Sequence, residues 1–529
     1  MTTRYSGRGL CAGIAALGLA ASACGSSHSS GGGASSILDV ASTAVVTTWD
    51  PIQSFSTEVA YMANLYEPLL YADKADASGS VTFKPALATS WTHSADGKTW
   101  TFKLRQDVTF HDGEPLTAAA VVSSLQASAK NGAASFIWGD LAGMTAPDTQ
   151  TVVITMKNPQ PVDLIASSEY GAYIVAPNAL AAEAKNPKYF DAGIDAGTGP
   201  YAVTTYTAGK QIVMKKYPKY WGGWSGQHYG TVVVSITSEA IVQQQMLQGG
   251  QAQLADSVPL VNLAGLAKTF NVNAAPSAFS YVGFFNTLKP PLDNATVRQA
   301  LSYAIPYADI MTIGASGYGT QDRASVPAGI FPYSTDVPTY QQDLDKARAL
   351  LTQAGHPGGK FSINLTYAAE NQGEARFAPL IKDAFAKIGV TVNLKAILFD
   401  QQWAQAKADP TTAQDMFLLL YWPTYADAGN DNLHTLFHSS DKPFFNLSYW
   451  NDPTYDGLID KAQAQTQTDR AQSLSLYVQA QKRLVGQAPA VFFYDQKAVV
   501  VTAKSVQGLQ NNINYPFVTF YYPLHKGAA

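Results

Sequence analysis

The sequence predicts a layered α/β protein divided into two or three lobes, and three observations carry that prediction. The chain has 529 residues, more than one hydrophobic core accommodates, so it must divide. Segments with the two-residue period of strands alternate along it with segments of helical period. One amphipathic helix also passes into a strand through a very short connection, the habit of layered α/β domains.

The elements follow in order. From Lys98 to Arg105, Trp100, Phe102 and Leu104 alternate with Thr101, Lys103 and Arg105, as in a half-buried strand. Val152, Ile154 and Met156 repeat the pattern. A helix is predicted from Asn294 onward. Asp293 or Asn294 caps it, Val297, Ala300, Leu301, Ala304 and Ile305 form its apolar stripe, and Pro306 closes it. A second runs from Asp343 to Ala354, with Leu344, Ala347, Leu350, Leu351 and Ala354 on one face and Gly355 and Pro357 beyond. A third carries Phe377, Leu380, Ile381, Ala384, Phe385 and Ile388 on one stripe and ends at Gly389. Val390, Val392, Leu394, Ala396 and Leu398 then alternate as a strand.

Composition removes several classes of function. Apolar residues make up 46% of the chain and charged residues 14%, which excludes disorder over most of the length. After the first 25 positions there is no apolar run of the roughly 20 residues that a membrane helix needs. Lys and Arg total 35 against 39 acidic residues, without a basic cluster, so no nucleic-acid partner is expected. Arg4 and Arg8 precede the apolar run Leu10 to Ala23, the layout of a signal peptide over residues 1–23. The tetrapeptide Ala21-Ser22-Ala23-Cys24 resembles the bacterial lipobox, which implies a lipid anchor on Cys24 and a tether over 24–36, nearly all Gly and Ser after the Cys. Ala21 replaces the usual Leu, so ordinary cleavage after Ala23 stays open. Cys11 and Cys24 are the only cysteines, and the folded body therefore has no disulfide, no thiol chemistry and no Cys-based metal site.

A series of blocks then becomes recognisable. Leu65-Tyr66-Glu67-Pro68-Leu69, Pro85-Ala86-Leu87-Ala88, Ser90-Trp91, the run Asp96 to Phe102, and Phe110-His111-Asp112-Gly113 with Pro115-Leu116-Thr117-Ala118 stand near the front. Gly197-Thr198-Gly199-Pro200-Tyr201, Phe285-Asn286-Thr287, Pro290 to Asp293, Val297 to Ala300, and Ala347 to Leu351 follow. In order and spacing these resemble the large extracytoplasmic solute-binding proteins of family 5, which serve dipeptide, oligopeptide and nickel ABC importers. Taken by themselves, Asp96-Gly97 and Asp112-Gly113 are tight-turn dipeptides, and Gly197, Gly199 and Pro200 form a rigid bend. They mark the family and not its cargo.

The resemblance implies a periplasmic-binding-protein fold of type II, with two large lobes, a hinge and an inserted small lobe. Lobe I would comprise residues 37–78, 197–278 and 498–529, the insert 79–196, and lobe II 279–497. It also implies a monomeric receptor that closes over a small ligand, most simply a peptide, and delivers it to ABC permease and ATPase subunits, without a cofactor.

Peptide-binding members use a segment reading Trp, two residues, Asp, whose carboxylate pairs with the peptide ammonium. This chain reads Trp422-Pro423-Thr424-Tyr425-Ala426-Asp427. Tyr425 then stands at the place of the Asp, and a neutral phenol does not offset the desolvation of an ammonium. Either Asp427 takes over or the ligand is not a free-amine peptide. Tyr421, Trp422 and Tyr425 form an aromatic cluster suited to stacking on a ligand, with core packing as the competing role. By position in the family, Phe55-Ser56-Thr57-Glu58 would face the cleft, with Ser56 and Thr57 offering hydroxyls, and Tyr281 would lie near the hinge.

An enzyme is not expected. The chain has no G-x-S-x-G elbow and no triad pattern, and no G-x-x-x-x-G-K-[ST] loop, so ATP hydrolysis must come from separate subunits. His434 and His438 are four apart, but the first is not followed by the Glu of a zinc protease. No resident metal is assigned. A metal chelate or an oligosaccharide remains the alternative cargo, the former through these two imidazoles.

Overall fold

The computed structural model describes residues 36–75, 81–440 and 445–527; the expected signal peptide, Cys24 and the tether up to residue 35 lie outside them. The frame is an eleven-stranded sheet. Its two longest strands, Phe270–Phe285 and Ala490–Ala503, pair antiparallel nearly end to end, from Phe270 opposite Ala503 to Phe284 opposite Ala490. Leu254–Ala255, Ile37–Ser42, Thr231–Ile236, Gln211–Lys216 and Tyr201–Thr207 extend the sheet to one side. Met416–Tyr421, Ser362–Ala368 and Thr391–Ile397 extend it to the other, and the short strand Gly319–Gln321 pairs with Ala490–Ala503 off this path. Between the long strands the register shifts from Ala275 opposite Ala498 to Phe279 opposite Gln496. Pro276 falls in that interval; it has no N–H for the ladder and belongs where pairing is already interrupted.

A separate four-stranded sheet is ordered Ala88–His93, Thr99–Leu104, Thr151–Met156, Leu141–Asp148. Trp100, Phe102 and Leu104 are buried as their alternation predicts, and Gly97 makes the turn before them at φ 67°. The helix Ala118–Asn131 covers this sheet with Ala118, Val121 and Leu125; its first turn is capped by the Thr117 hydroxyl, which accepts the Ala120 N–H at 3.2 Å. The bend at Gly197 and Gly199 is a close approach. A Cβ on Gly197 would lie 2.0 Å from the Leu65 carbonyl oxygen, to which the Gly199 N–H donates at 2.8 Å.

The three helices read from the sequence are Ala295–Ala304, Leu344–Gln353 and Gln372–Ala386, capped by Asn294, Asp343 and Asn371. The third starts earlier than its stripe suggests, carries Pro379 internally, and ends before Gly389 at φ 81°. The following strand departs from expectation. Val392 is buried, but Ala396 is exposed and Leu398 is 54% exposed, because Thr391–Ile397 is the edge of the sheet and pairs with Ser362–Ala368 alone.

Burial also sets the stability's dependence on pH. Glu67 is fully buried, accepting bonds from Thr198, Tyr220 and Trp221, and burial pushes its carboxyl from 4.5 up to about 7. Glu374 accepts the Ala368 N–H at 2.8 Å and is pushed up to about 8. From pH 4.5 to those values the folded chain keeps protons that the unfolded chain has released, so stability falls as pH rises. The thermal midpoint is therefore expected to rise on going from pH 8 to pH 6.5, as measured by calorimetry. Glu67→Gln should flatten that rise.

Candidate ligand-binding site

The strand Met416–Tyr421 delivers the chain to Trp422, and a short hook follows that bonds to itself. Asp427 accepts the N–H groups of Gly429 and Asn430 at 2.9 and 3.2 Å, opening the helical turns of Gly429–Thr435. Asp431 accepts the Tyr421 hydroxyl and the Thr424 N–H, and Asn430 donates its amide to the Tyr425 hydroxyl. Asp427 and Asp431 are each 1% exposed. Burial raises both carboxyls, Asp431 to about 6.

Two segments from the other side of the molecule meet this hook. The Ser168 hydroxyl lies 2.8 Å from the Thr424 carbonyl oxygen, and the Trp422 indole N–H donates to the Tyr170 hydroxyl at 3.3 Å. That hydroxyl in turn donates to the Ser56 carbonyl at 3.1 Å. Trp422 packs edge-to-face on Phe517 at 4.9 Å, and Phe55 lies 5.4 Å from Tyr170 and 6.5 Å from Phe445. Beside this seam is a cavity of about 480 Å³. Ala133, Ser135, Phe136 and Ile137 line it from one side; Tyr425, Asn430, Asp431, His434, Thr435, His438, Phe445 and Asn446 line it from the other.

The structure thus brings Trp422, Tyr425 and the Ser56 carbonyl to one seam, and the remaining sequence-predicted residues have other surroundings. Tyr421 is packed in the core with its hydroxyl held by Asp431. Asp427 spends one oxygen on backbone N–H groups. Thr57 is tied back to Val45, exchanging bonds with its N–H and carbonyl at 3.2 and 3.3 Å. Tyr281 is buried against Tyr494 and Phe377, with its hydroxyl on Asn371 at 3.2 Å, in a different core cluster from the one Trp422 packs against. His434 and His438 do line the cavity, rings stacked at 4.6 Å. Burial and the neighbouring ring push the His434 imidazole down to about 4. Among the described residues no group of three or more His, Cys, Asp or Glu is placed to hold a metal ion.

Sequence reasoning missed Ser168, Glu169, Tyr170, Phe445 and Phe517. One signal was present: Glu169 is the sole charged residue between Asp163 and Glu183, and an isolated charge in an apolar run is the kind of buried polar group that needs a reason.

The family model of the bacterial extracellular solute-binding proteins, family 5 (middle), matches residues 82–444, more than half of the chain. This chain belongs to that family. As a family 5 solute-binding protein it is the substrate-binding component of an ABC importer, works outside the cytoplasm with permease and ATPase subunits, and is a transport protein and not an enzyme. The glutathione-binding protein GsiB of Shigella dysenteriae is 29% identical to it over 476 residues, spanning 87% of this chain and 89% of GsiB. Two solved structures share the type II periplasmic-binding-protein fold. DppA from Helicobacter pylori, in complex with the peptide STSA, superposes with a TM-score of 0.76 at 24% identity over 93% of this chain and 98% of its own. NikZ from Campylobacter jejuni, in complex with Ni(L-His), gives 0.78 at 20% identity over 92% and 99%. No helix among the described residues is long and apolar enough to cross a membrane.

The hook of this family 5 protein makes a direct prediction. Asp427→Ala removes the acceptor for two N–H groups and should lower stability by about 1 kcal/mol in urea unfolding, while Asp427→Asn, which keeps an acceptor oxygen, should lose less.

Proposed function

We propose that this protein captures short peptides or peptide-like molecules, among which glutathione-like tripeptides are natural candidates, between two closing lobes. The observation that carries this reading is the cavity at the seam. At about 480 Å³ it is of the size that holds a small ligand. Its walls combine aromatic faces (Phe136, Tyr425, Phe445) with hydrogen-bonding groups suited to amides (Asn430, Thr435, Asn446). The similarity to GsiB over most of both chains supports the same class of cargo.

In this account lobe I is 37–78, 197–278 and 498–529, the insert 79–196, and lobe II 279–497. The hinge lies where the two long strands lose register, at Ala275–Phe279 opposite Gln496–Ala498. Opening separates Ser168 from Thr424 and Tyr170 from Trp422; closing restores these contacts over the ligand, and the permease meets the closed form. The chain acts as a monomer, held to the outer face of the membrane by lipid on Cys24.

Native mass spectrometry of the protein purified from its own host, followed by denaturation, tests the cargo. A set of masses fragmenting as short peptides is expected; a single non-peptide mass or a nickel chelate contradicts the reading. Replacing His434 and His438 together by Ala alters two cavity walls but should leave peptides among the bound masses, whereas a chelate would be lost with the imidazoles.

A further inference from the structure

We infer that Glu169 receives the positively charged amino group of the ligand. The assignment rests on the reading above, that a peptide is captured at the seam, and names the residue that would recognise its amine.

Residues 164–176 are buried throughout, although the chain from 166 to 176 is neither helix nor strand. Irregular backbone survives burial only when its polar groups are bonded, and several of them are bonded to distant parts of the chain. The Ser167 carbonyl accepts the Tyr515 hydroxyl at 2.9 Å, the Tyr170 N–H donates to the Ser168 hydroxyl at 3.0 Å, the Gly171 carbonyl accepts the Trp138 indole at 2.9 Å, and the Ile174 N–H donates to the Glu67 carbonyl at 3.1 Å. Glu169 is the exception. It is 2% exposed, and neither carboxylate oxygen has a hydrogen-bond partner; the nearby Tyr173 hydroxyl has none either.

Among the described residues no positive charge offsets the burial that raises the pKa of this carboxyl well above its ordinary value. The phenols of Tyr170, Tyr173 and Tyr515 lie within electrostatic reach of it. A carboxylate among aromatic rings is a receptor for an ammonium, which gains an ion pair and the negative faces of the rings. The chain satisfies its other buried acids at this end. Glu58 accepts from Thr47, Ser54 and the Phe55 and Ser56 N–H groups, and Glu67 from Thr198, Tyr220 and Trp221. A buried carboxyl without a partner is held as the neutral acid by its raised pKa, and an arriving ammonium would let it ionise into an ion pair.

Position bears on access. Ser168 and Tyr170, the residues on either side of Glu169, are the ones that touch Thr424 and Trp422, so Glu169 lies one residue from the seam; its carboxyl does not line the cavity, and opening of the seam must admit the amine to it. Asp427 is less suited, because an oxygen of its carboxylate already holds Gly429 and Asn430.

The test is titration of the purified protein and its Glu169→Gln variant with a pool of free-amine tripeptides and with the same pool N-acetylated. The wild type should prefer the free amines on the order of 30-fold, the range of a hydrogen bond to a charged group, and Glu169→Gln should abolish the preference while Glu169→Asp retains part of it. The assignment is overturned if Glu169→Gln weakens both pools equally, if it changes neither, or if Asp427→Asn and not Glu169→Gln removes the preference. If the wild type binds neither pool and carries a non-peptide cargo, the peptide reading itself fails and takes this assignment with it.

Discussion

The antiparallel pairing of Phe270–Phe285 with Ala490–Ala503 is the constraint on which the rest of this structure depends. Every other strand of the large sheet attaches, directly or through neighbours, to one side or the other of this ribbon. Because the ribbon is continuous, the two halves of the sheet share one backbone frame, and its register shifts twice, around Pro276 and between Tyr281 and Val282. A two-stranded crossing of this kind permits rotation of one half against the other while resisting sliding, which suits rigid-body closure.

Burial of charge is the second theme. The seam side of the molecule holds several carboxylates with almost no solvent contact, and three are handled by a local device: Asp427 by the first amides of a helical turn, Asp431 by a phenol and an amide, Glu58 by its own loop. These bonds tie the hook 421–431 and the loop 54–58 to themselves, which under the proposed function would spare binding the cost of ordering them. Against that background Glu169, whose carboxyl has no partner among the described residues, stands out.

Much of the fold was legible in the sequence because it rests on periodicity and turn chemistry. Alternation at Trp100, Phe102 and Leu104, caps at Asn294 and Asp343, and stops at Gly355 and Gly389 each act within a few residues and read directly. The pattern misled at Ala396 and Leu398, where apolar alternation continues past the covered part of an edge strand. The site was legible only in part. Trp422 and Tyr425 could be found through a family motif, but whether a carboxylate near them is free depends on what its neighbours donate. Asp427 appears available in the sequence and is engaged in the fold, while Glu169 is separated from Trp422 by some 250 positions and its neighbours Ser168 and Tyr170 are what touch the hook. Tyr281 shows the same limit: a polar tip on a strand near the crossing, turned by the pleat into the core.

Closure of the lobes over a ligand is the claim that most needs a direct measurement, and the lack of cysteine after Cys24 makes site-specific labelling clean. Spin labels introduced by Asn131→Cys and Lys461→Cys would sit on exposed positions flanking the cavity, near Ala133 and beside the Asp460 that meets His438. Electron–electron distance measurements should give a long, broad distribution for protein stripped of ligand by unfolding and refolding, and a shorter, narrow one after adding a tripeptide pool. The same distribution in both states would show that the seam does not open, and would contradict capture by closure.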